Sequence, residues 1–266
     1  MVISKGDMKM PDYQLFTELI KKKTNIDLNL YKEVQMKRRL TSLRDKRGFN
    51  TFKSYFQMID QDKEMMQEFL DKMTINVSEF FRNSKRWEVL EKKILPEMLK
   101  KKSQLKIWSA ACSTGDEPYT IAMLLKQYID LNKVSILATD IDEKILERAR
   151  QGIYTERALK EVPKEFKDKF FIEKDSLYII DDQLKKSITF KKHNLLSDPF
   201  PKGFDLIVCR NVMIYFTDEA KMQIYHKFSD SLVDGGVFFV GSTEQIFTPE
   251  KYKLKLLDTF FYTKQE

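Results

Sequence analysis

Three carboxylates are spaced as a ligand site would space them. Asp116 and Glu117 follow a run of small residues from Ser109 to Gly115. Asp140 comes about two dozen residues later, at the end of the apolar run Val134-Ser135-Ile136-Leu137-Ala138-Thr139. Ahead of the small residues, Leu105-Lys106-Ile107-Trp108 reads as a buried strand. After Pro118, the spacing of Ile121, Leu124 and Leu125 predicts a helix. Proline suits a helix start, where its missing N–H costs nothing. Strand, small-residue loop and helix form the opening unit of a ligand-binding α/β domain, although a plain βα turn has the same pattern. A helix N-terminus ordinarily draws phosphate. Two carboxylates placed there neutralise the dipole and repel a pyrophosphate, and only Gly115 remains of a glycine fingerprint. The loop therefore suits a nucleoside-like ligand with positive charge and no phosphate, which describes S-adenosyl-L-methionine. Asp140, at the end of the second strand, is placed to accept the ribose hydroxyls, while Asp142 can cap the next helix.

These acids need a sheet to hold them. Ser187–Phe190, Asp205–Cys209 and Val237–Val240 supply further buried strands, with Arg210-Asn211 at the end of one. Two last strands are expected around residues 253–257 and 259–263, and Thr217 can cap the helix between residues 218 and 232. The stretch 153–186 is charged and irregular, and reads as short helices followed by a small antiparallel excursion. Before residue 75 the pattern is helical, with Tyr13, Phe16, Leu19 and Ile20 on one stripe. Another helix is expected from about Leu30 to Arg47, stopping at Gly48. Ser84 can cap a helix carrying Trp87, Leu90 and Ile94, which Pro96 should kink or break.

The charge is unevenly distributed. The net charge is +7, but residues 1–102 hold 23 Lys and Arg against 15 Asp and Glu, so all the excess lies before the first strand. Seven basic residues fall between Lys32 and Arg47 against two acidic ones. They make either a solvated face or a docking face for an acidic partner. Two cysteines, Cys112 and Cys209, suit a reducing compartment, and two histidines give no zinc spacing. No apolar run approaches the ~20 residues of a membrane helix. The expectation is a cytoplasmic chain with no metal and no membrane insertion.

TINVSEFFR (74–82), WSAACSTGDEPY (108–119), ATDID (138–142) and CRNVMIYF (209–216) together resemble the CheR-type chemoreceptor glutamate O-methyltransferases, and the likeness covers nearly the whole chain. The resemblance implies an α/β class I methyltransferase (Rossmann-like) sheet, whose last strand runs antiparallel, with a small antiparallel β-subdomain, preceded by a small all-helical domain. The implied layout is a helical domain over residues 1–75 with a basic receptor-docking helix, a linker and helix over 76–103, and the S-adenosylmethionine-binding domain over 104–266 with its β-subdomain at about 170–190. Carried over by position, cofactor contacts fall on Asn76, Ser78, Arg82, Glu117, Asp140, Asn194, Leu195, Arg210 and Asn211. Arg82 and Tyr215 fall at the catalytic centre, and Lys37, Arg38 and Arg44 on the receptor-docking face. Asp116 departs from the family's Glu, so the cofactor role is carried on Glu117. The hairpin, placed at Asp175 to Lys186, lacks the glycines that some members insert there. That predicts an enzyme needing no C-terminal peptide tether on its receptor.

The implied reaction passes a methyl group from S-adenosyl-L-methionine to a glutamate γ-carboxylate in the receptor's cytoplasmic methylation region, leaving S-adenosyl-L-homocysteine. That nucleophile needs no general base, since an unperturbed Glu has a pKa near ~4.3. A nucleic-acid methyltransferase is a rival suggested by the basic half, but Arg210-Asn211-Val212-Met213 stands where an Asp/Asn-Pro-Pro-aromatic tetrad would be. A non-catalytic adaptor is another, and retention of Arg82, Glu117 and Asp140 argues against it.

Overall fold

A computed structural model describes residues 10–74 and 78–265. The chain divides into two compact units, Met1–Ile75 with Tyr215–Ala220, and Asn76–Ile214 with Lys221–Glu266.

In the first unit, α1 (Asp12–Thr24), α3 (Phe52–Gln61) and α4 (Lys63–Met73) pack around Phe16, and α2 (Glu33–Lys46) packs against α4 and α3. The Phe16 ring lies 5.0 Å from Phe52, 6.1 Å from Tyr55 and 5.9 Å from Phe69. The Asp12 carboxylate accepts the backbone N–H groups of Phe52 and Lys53, so the start of α1 ties down the start of α3. α2 begins later than its sequence pattern predicts, because Leu28–Leu30 forms a separate 3-10 turn on an Asp27 cap. Its buried face is Met36, Leu40 and Leu43, as the periodicity predicts.

The second unit opens with α5 (Ser84–Val89), a π turn at Leu90–Ile94 and α6 (Leu95–Lys101). Pro96 thus sits in the first turn of α6, and the π turn absorbs its missing donor instead of a break. Asn83, in the left-handed region at φ 62°, occupies the N-cap position expected for Ser84.

The core sheet uses β1 (Leu105–Ala110), β2 (Val134–Asp140), β6 (Ile188–Lys192), β7 (Phe204–Cys209), β8 (Leu232–Val240), β9 (Leu254–Asp258) and β10 (Phe261–Lys264). Their order is β6-β2-β1-β7-β8-β10-β9. Neighbours from β6 to β8 run parallel, and β10 is antiparallel to both β8 and β9. β1 and β7 are buried along nearly their whole length, so they read as continuous apolar runs. The helices α7 (Asp116–Leu125), α8 (Glu143–Gln151) and α11 (Asp218–Ser231) follow β1, β2 and β7. The caps from Asp142 and Thr217 form as predicted: Asp142 Oδ1 accepts from Lys144 and Ile145, and Thr217 Oγ1 from Ala220.

The small sheet is three-stranded, in the order β3-β5-β4: β3 (Ile153–Thr155), β4 (Phe171–Lys174) and β5 (Leu177–Ile180), with α9 (Lys164–Phe170) between β3 and β4. It therefore starts earlier than residue 170 and ends before residue 190, since residues 188–192 are the edge strand of the main sheet. The hairpin is Phe171 to Ile180 rather than Asp175 to Lys186, because α10 (Asp182–Lys186) is helical on an Asp181 cap. Its two-residue turn places Asp175 and Ser176 at φ 50° and 62°, a left-handed pair that Asp and Ser make here without glycine.

Candidate functional site

The strand order reverses between β1 and β7, and the loops leaving their C-terminal ends flank a crevice, the place where open α/β sheets bind ligands. The β1–α7 loop is wound tightly. Ala111, Ser113 and Gly115 lie at φ 61°, 49° and 89°, and Cys112 N–H is tied to the Thr139 carbonyl at 2.8 Å. A Cβ on Gly115 would press on Ala149, Tyr119 and Tyr154 at 3.0–3.2 Å, so this left-handed position is closed to side chains.

Asp140 grips this loop. One oxygen accepts from Ser113 N–H at 2.9 Å and the other from Asp142 N–H at 3.1 Å. Burial pushes the Asp140 carboxyl up to about 6, against the pull of the backbone N–H groups of Asp142, Ser113 and Ile141. Glu117 sits at the start of α7, its side chain 13% exposed. It accepts from the Ser109 hydroxyl at 2.9 Å and faces Arg210 Nη1 at 3.9 Å. Burial pushes it up to about 7, opposed by Arg210, Ser109 and Arg82.

Arg210 is the hub of the crevice. Its Nη2 donates to the Arg82 carbonyl at 2.7 Å, and the guanidinium lies 5.0 Å from the Trp87 ring and 4.8 Å from Phe239. Its Nε, like the Ser113 hydroxyl, is buried without a hydrogen-bond partner among the described residues. The Arg82 carbonyl also takes Trp87 Nε1, so Arg82 backbone, Trp87 and Arg210 form one assembly.

Asp116, set aside in the sequence, is fully buried and binds the Thr114 hydroxyl and Ser78. Thr120 Oγ1 accepts from Phe81 N–H, and so the segment from Ser78 to Arg82 is fastened to the first turn of α7. Asn76 lies outside the described residues. Asn194 Oδ1 accepts from Leu196 N–H at 3.0 Å, which leaves its NH₂ group as the donor toward any ligand, and Leu195 is buried beside it. Asn211 is left-handed, at φ 62°. In the helical unit, the Tyr215 carbonyl accepts from Lys32 N–H and its ring lies 5.5 Å from the Arg39 guanidinium.

The residues expected on the docking face divide. Lys37 and Arg38 are exposed on α2. Arg44 is turned inward, since its guanidinium is held by Asp45 at 2.7 and 2.9 Å and covers the Phe52 ring at 4.7 Å. Reading by helical spacing alone put Arg44 on the surface with its neighbours. It also assigned no role at the site to Glu244, to Trp87, read only as part of a helix face, or to Tyr154, whose hydroxyl donates to the Thr114 carbonyl of the loop. The available signal was Gly241-Ser242-Thr243-Glu244, small residues and an acid directly after a buried strand, the same pattern as at β1.

This sheet order, with its antiparallel β10 and an acid-lined crevice at the switch point, defines a class I S-adenosylmethionine-dependent methyltransferase domain. Residues 76–261 match the family described as CheR methyltransferase, SAM binding domain, and residues 11–74 the CheR methyltransferase, all-alpha domain. The chain is 47% identical to the chemotaxis protein methyltransferase of Listeria innocua, over 95% of this chain and 97% of that one. It is 40% identical to that of Borreliella burgdorferi, over 83% of each chain, and 30% identical to chemotaxis protein methyltransferase 1 of Pseudomonas aeruginosa, over 91% and 93%. The chain belongs to the CheR family, and it methylates chemoreceptor glutamates with S-adenosyl-L-methionine.

Proposed function

We propose a division of labour among these residues. S-adenosyl-L-methionine, when bound, supplies an electrophilic methyl group on a sulfonium. Asp140 accepts from its ribose hydroxyls, Glu117 pairs with its ammonium, and Asn194 and Leu195 read the adenine edge. Asn76, Ser78, Arg210 and Asn211 complete that pocket. Arg82 and Tyr215 orient the incoming glutamate γ-carboxylate. The carboxylate arrives ionised, so the protein's task is alignment and exclusion of water rather than proton removal. Ionised reactants become a neutral ester and a neutral thioether, which a dry crevice favours.

The observation that carries this reading is the pairing of chemistry around the β1 loop. Two half-to-fully buried carboxylates, Asp140 and Glu117, stand where a phosphate-binding loop would present free N–H groups, and Asp140 itself takes up Ser113 N–H. That donor set fits a cationic nucleoside and disfavours a pyrophosphate. The direct test is calorimetry with S-adenosyl-L-homocysteine, S-adenosyl-L-methionine and NAD. Binding of the first two with NAD far weaker supports the reading, and comparable NAD binding overturns it.

For the partner, we propose docking through the exposed basic face of α2 onto an acidic helical surface of the receptor in the cytoplasm, with no nucleic acid involved. The two-residue turn at Asp175-Ser176 has no glycine insertion beside the edge strand β4. That supports an enzyme that needs no C-terminal peptide on its receptor.

A further inference from the structure

Glu244 is a buried carboxylate that the reaction does not touch, yet it is among the most heavily engaged groups in the second unit. It is 5% exposed. One oxygen accepts the backbone N–H groups of Asn211 at 2.6 Å and Gly241 at 2.9 Å. The other accepts those of Met213 at 2.7 Å and Ile214 at 3.3 Å. Three of these four donors belong to the turn that follows β7, and that turn begins directly after Arg210. The fit leaves no room: a Cβ on Gly241 would run into the Glu244 carboxylate and stand 2.8 Å from Asn211 N. Asn211 lies in the left-handed region at φ 62°, which asparagine adopts more readily than other residues with a side chain, and its N–H is aimed at the carboxylate.

We infer that Glu244 is a positioning residue for the cofactor site: by gathering the N–H groups of Asn211, Met213 and Ile214 it sets where Arg210 stands, and through Arg210 the charge on Glu117. Removing the anchor frees the peptide planes after Arg210. The guanidinium then loses its registry with Glu117 Oε2 and the Arg82 carbonyl. A glutamine cannot replace the carboxylate, because its NH₂ end would face two N–H donors with nothing to accept them.

The inference rests on Glu117 pairing with the cofactor ammonium, and the test separates the two claims. The charged groups acting on Glu117 are Arg210 and Arg82, which hold its pKa down, and Glu244, which raises it. Direct loss of the Glu244 charge therefore lowers the pKa of Glu117, whereas displacement of Arg210 raises it. The experiment measures S-adenosyl-L-homocysteine affinity by calorimetry from pH 5.5 to 8.5 in the full chain, for wild type, Glu244→Gln, Gly241→Ala and Glu117→Gln. The expected result is a roughly tenfold or greater loss of affinity in Glu244→Gln, the scale of charged hydrogen bonds, with the midpoint of the pH dependence moved upward. Gly241→Ala keeps the charge but crowds the carboxylate out of its seat, and should move the midpoint the same way, even if Glu244→Gln fails to fold. An unchanged midpoint in a folded variant reduces Glu244 to a structural role, and a downward shift reduces it to a bare charge; either overturns the inference. If instead the wild type has no pH step that Glu117→Gln removes, it is the assignment of Glu117 that fails.

Discussion

Arg210 Nη2 donates to the Arg82 carbonyl at 2.7 Å while Nη1 of the same guanidinium faces Glu117 at 3.9 Å. One side chain from the end of β7 thus joins the segment before α5 to the first turn of α7. Three motifs far apart in sequence meet on it. The two aromatic faces of Trp87 and Phe239 restrict the guanidinium further, so Arg210 is held in place before any ligand arrives.

Cofactor affinity should depend on pH. Burial raises Glu117 to about 7 and Asp140 to about 6, so both hold protons in the cofactor-free protein at mildly acid pH. Pairing with an ammonium, or accepting ribose hydroxyls with full strength, requires the ionised forms. Binding therefore releases protons below pH 7, and affinity rises with pH until both groups are ionised. Calorimetry at pH 6 in buffers of different ionisation enthalpy should show this release, and at pH 8.5 it should vanish.

Asp140→Ala should lose roughly 1.5–3 kcal/mol of cofactor affinity, the scale of hydrogen bonds to a charged group. Part of that loss comes through the loop, since Asp140 also holds Ser113 N–H. Asp140→Asn separates the parts: one amide end still accepts, and the loss should be smaller. Wild-type affinity in Asp140→Ala, measured by calorimetry, removes Asp140 from the site.

Arg82→Ala and Tyr215→Phe should lower kcat more than they weaken cofactor binding, because both are assigned to the reacting carboxylate. Steady-state kinetics with saturating receptor and cofactor reads this directly. Unchanged turnover would return both to structural roles.

Charge reversal at Lys37 and Arg38 should raise KM for receptor, leave cofactor binding intact and flatten the salt dependence of KM. Reversal at Arg44 should do something different. Its guanidinium is occupied by Asp45 and Phe52, so its loss should show as lower thermal stability of the helical unit rather than as weaker docking.

The receptor's C-terminal peptide should show no saturable binding. The edge strand β4 presents Ile172, which is 68% exposed, but the turn beside it is closed by two residues. Titration with the peptide is decisive, and saturable low-micromolar binding would show that the edge does capture a tether.

The centre of the sheet was legible because its strands are buried on both faces. Leu105–Ala110, Val134–Asp140 and Phe204–Cys209 stand out as apolar runs, and each ends in the small or charged residue that meets the crevice. The caps at Asp142 and Thr217 were legible because a cap is a local bond. What stayed hidden was made by backbone groups distant in sequence. The four N–H groups on Glu244 leave no mark on side-chain spacing, and neither does the inward turn of Arg44, which depends on Phe52 of another helix. The limits of the hairpin were misread because Asp182–Lys186 is too short for helical periodicity to declare itself, and because the left-handed turn uses Asp and Ser.

Methyl transfer to receptor glutamate is the step that every residue role above serves. It is tested most directly by incubating the protein with S-adenosyl-L-methionine labelled in its methyl group, in the presence of receptor cytoplasmic fragment or DNA. Label is expected in the receptor alone, released by mild base as a methyl ester is, and absent from receptor whose methylated glutamates are replaced by alanine. Base-stable label, label in DNA, or no transfer to either would contradict it.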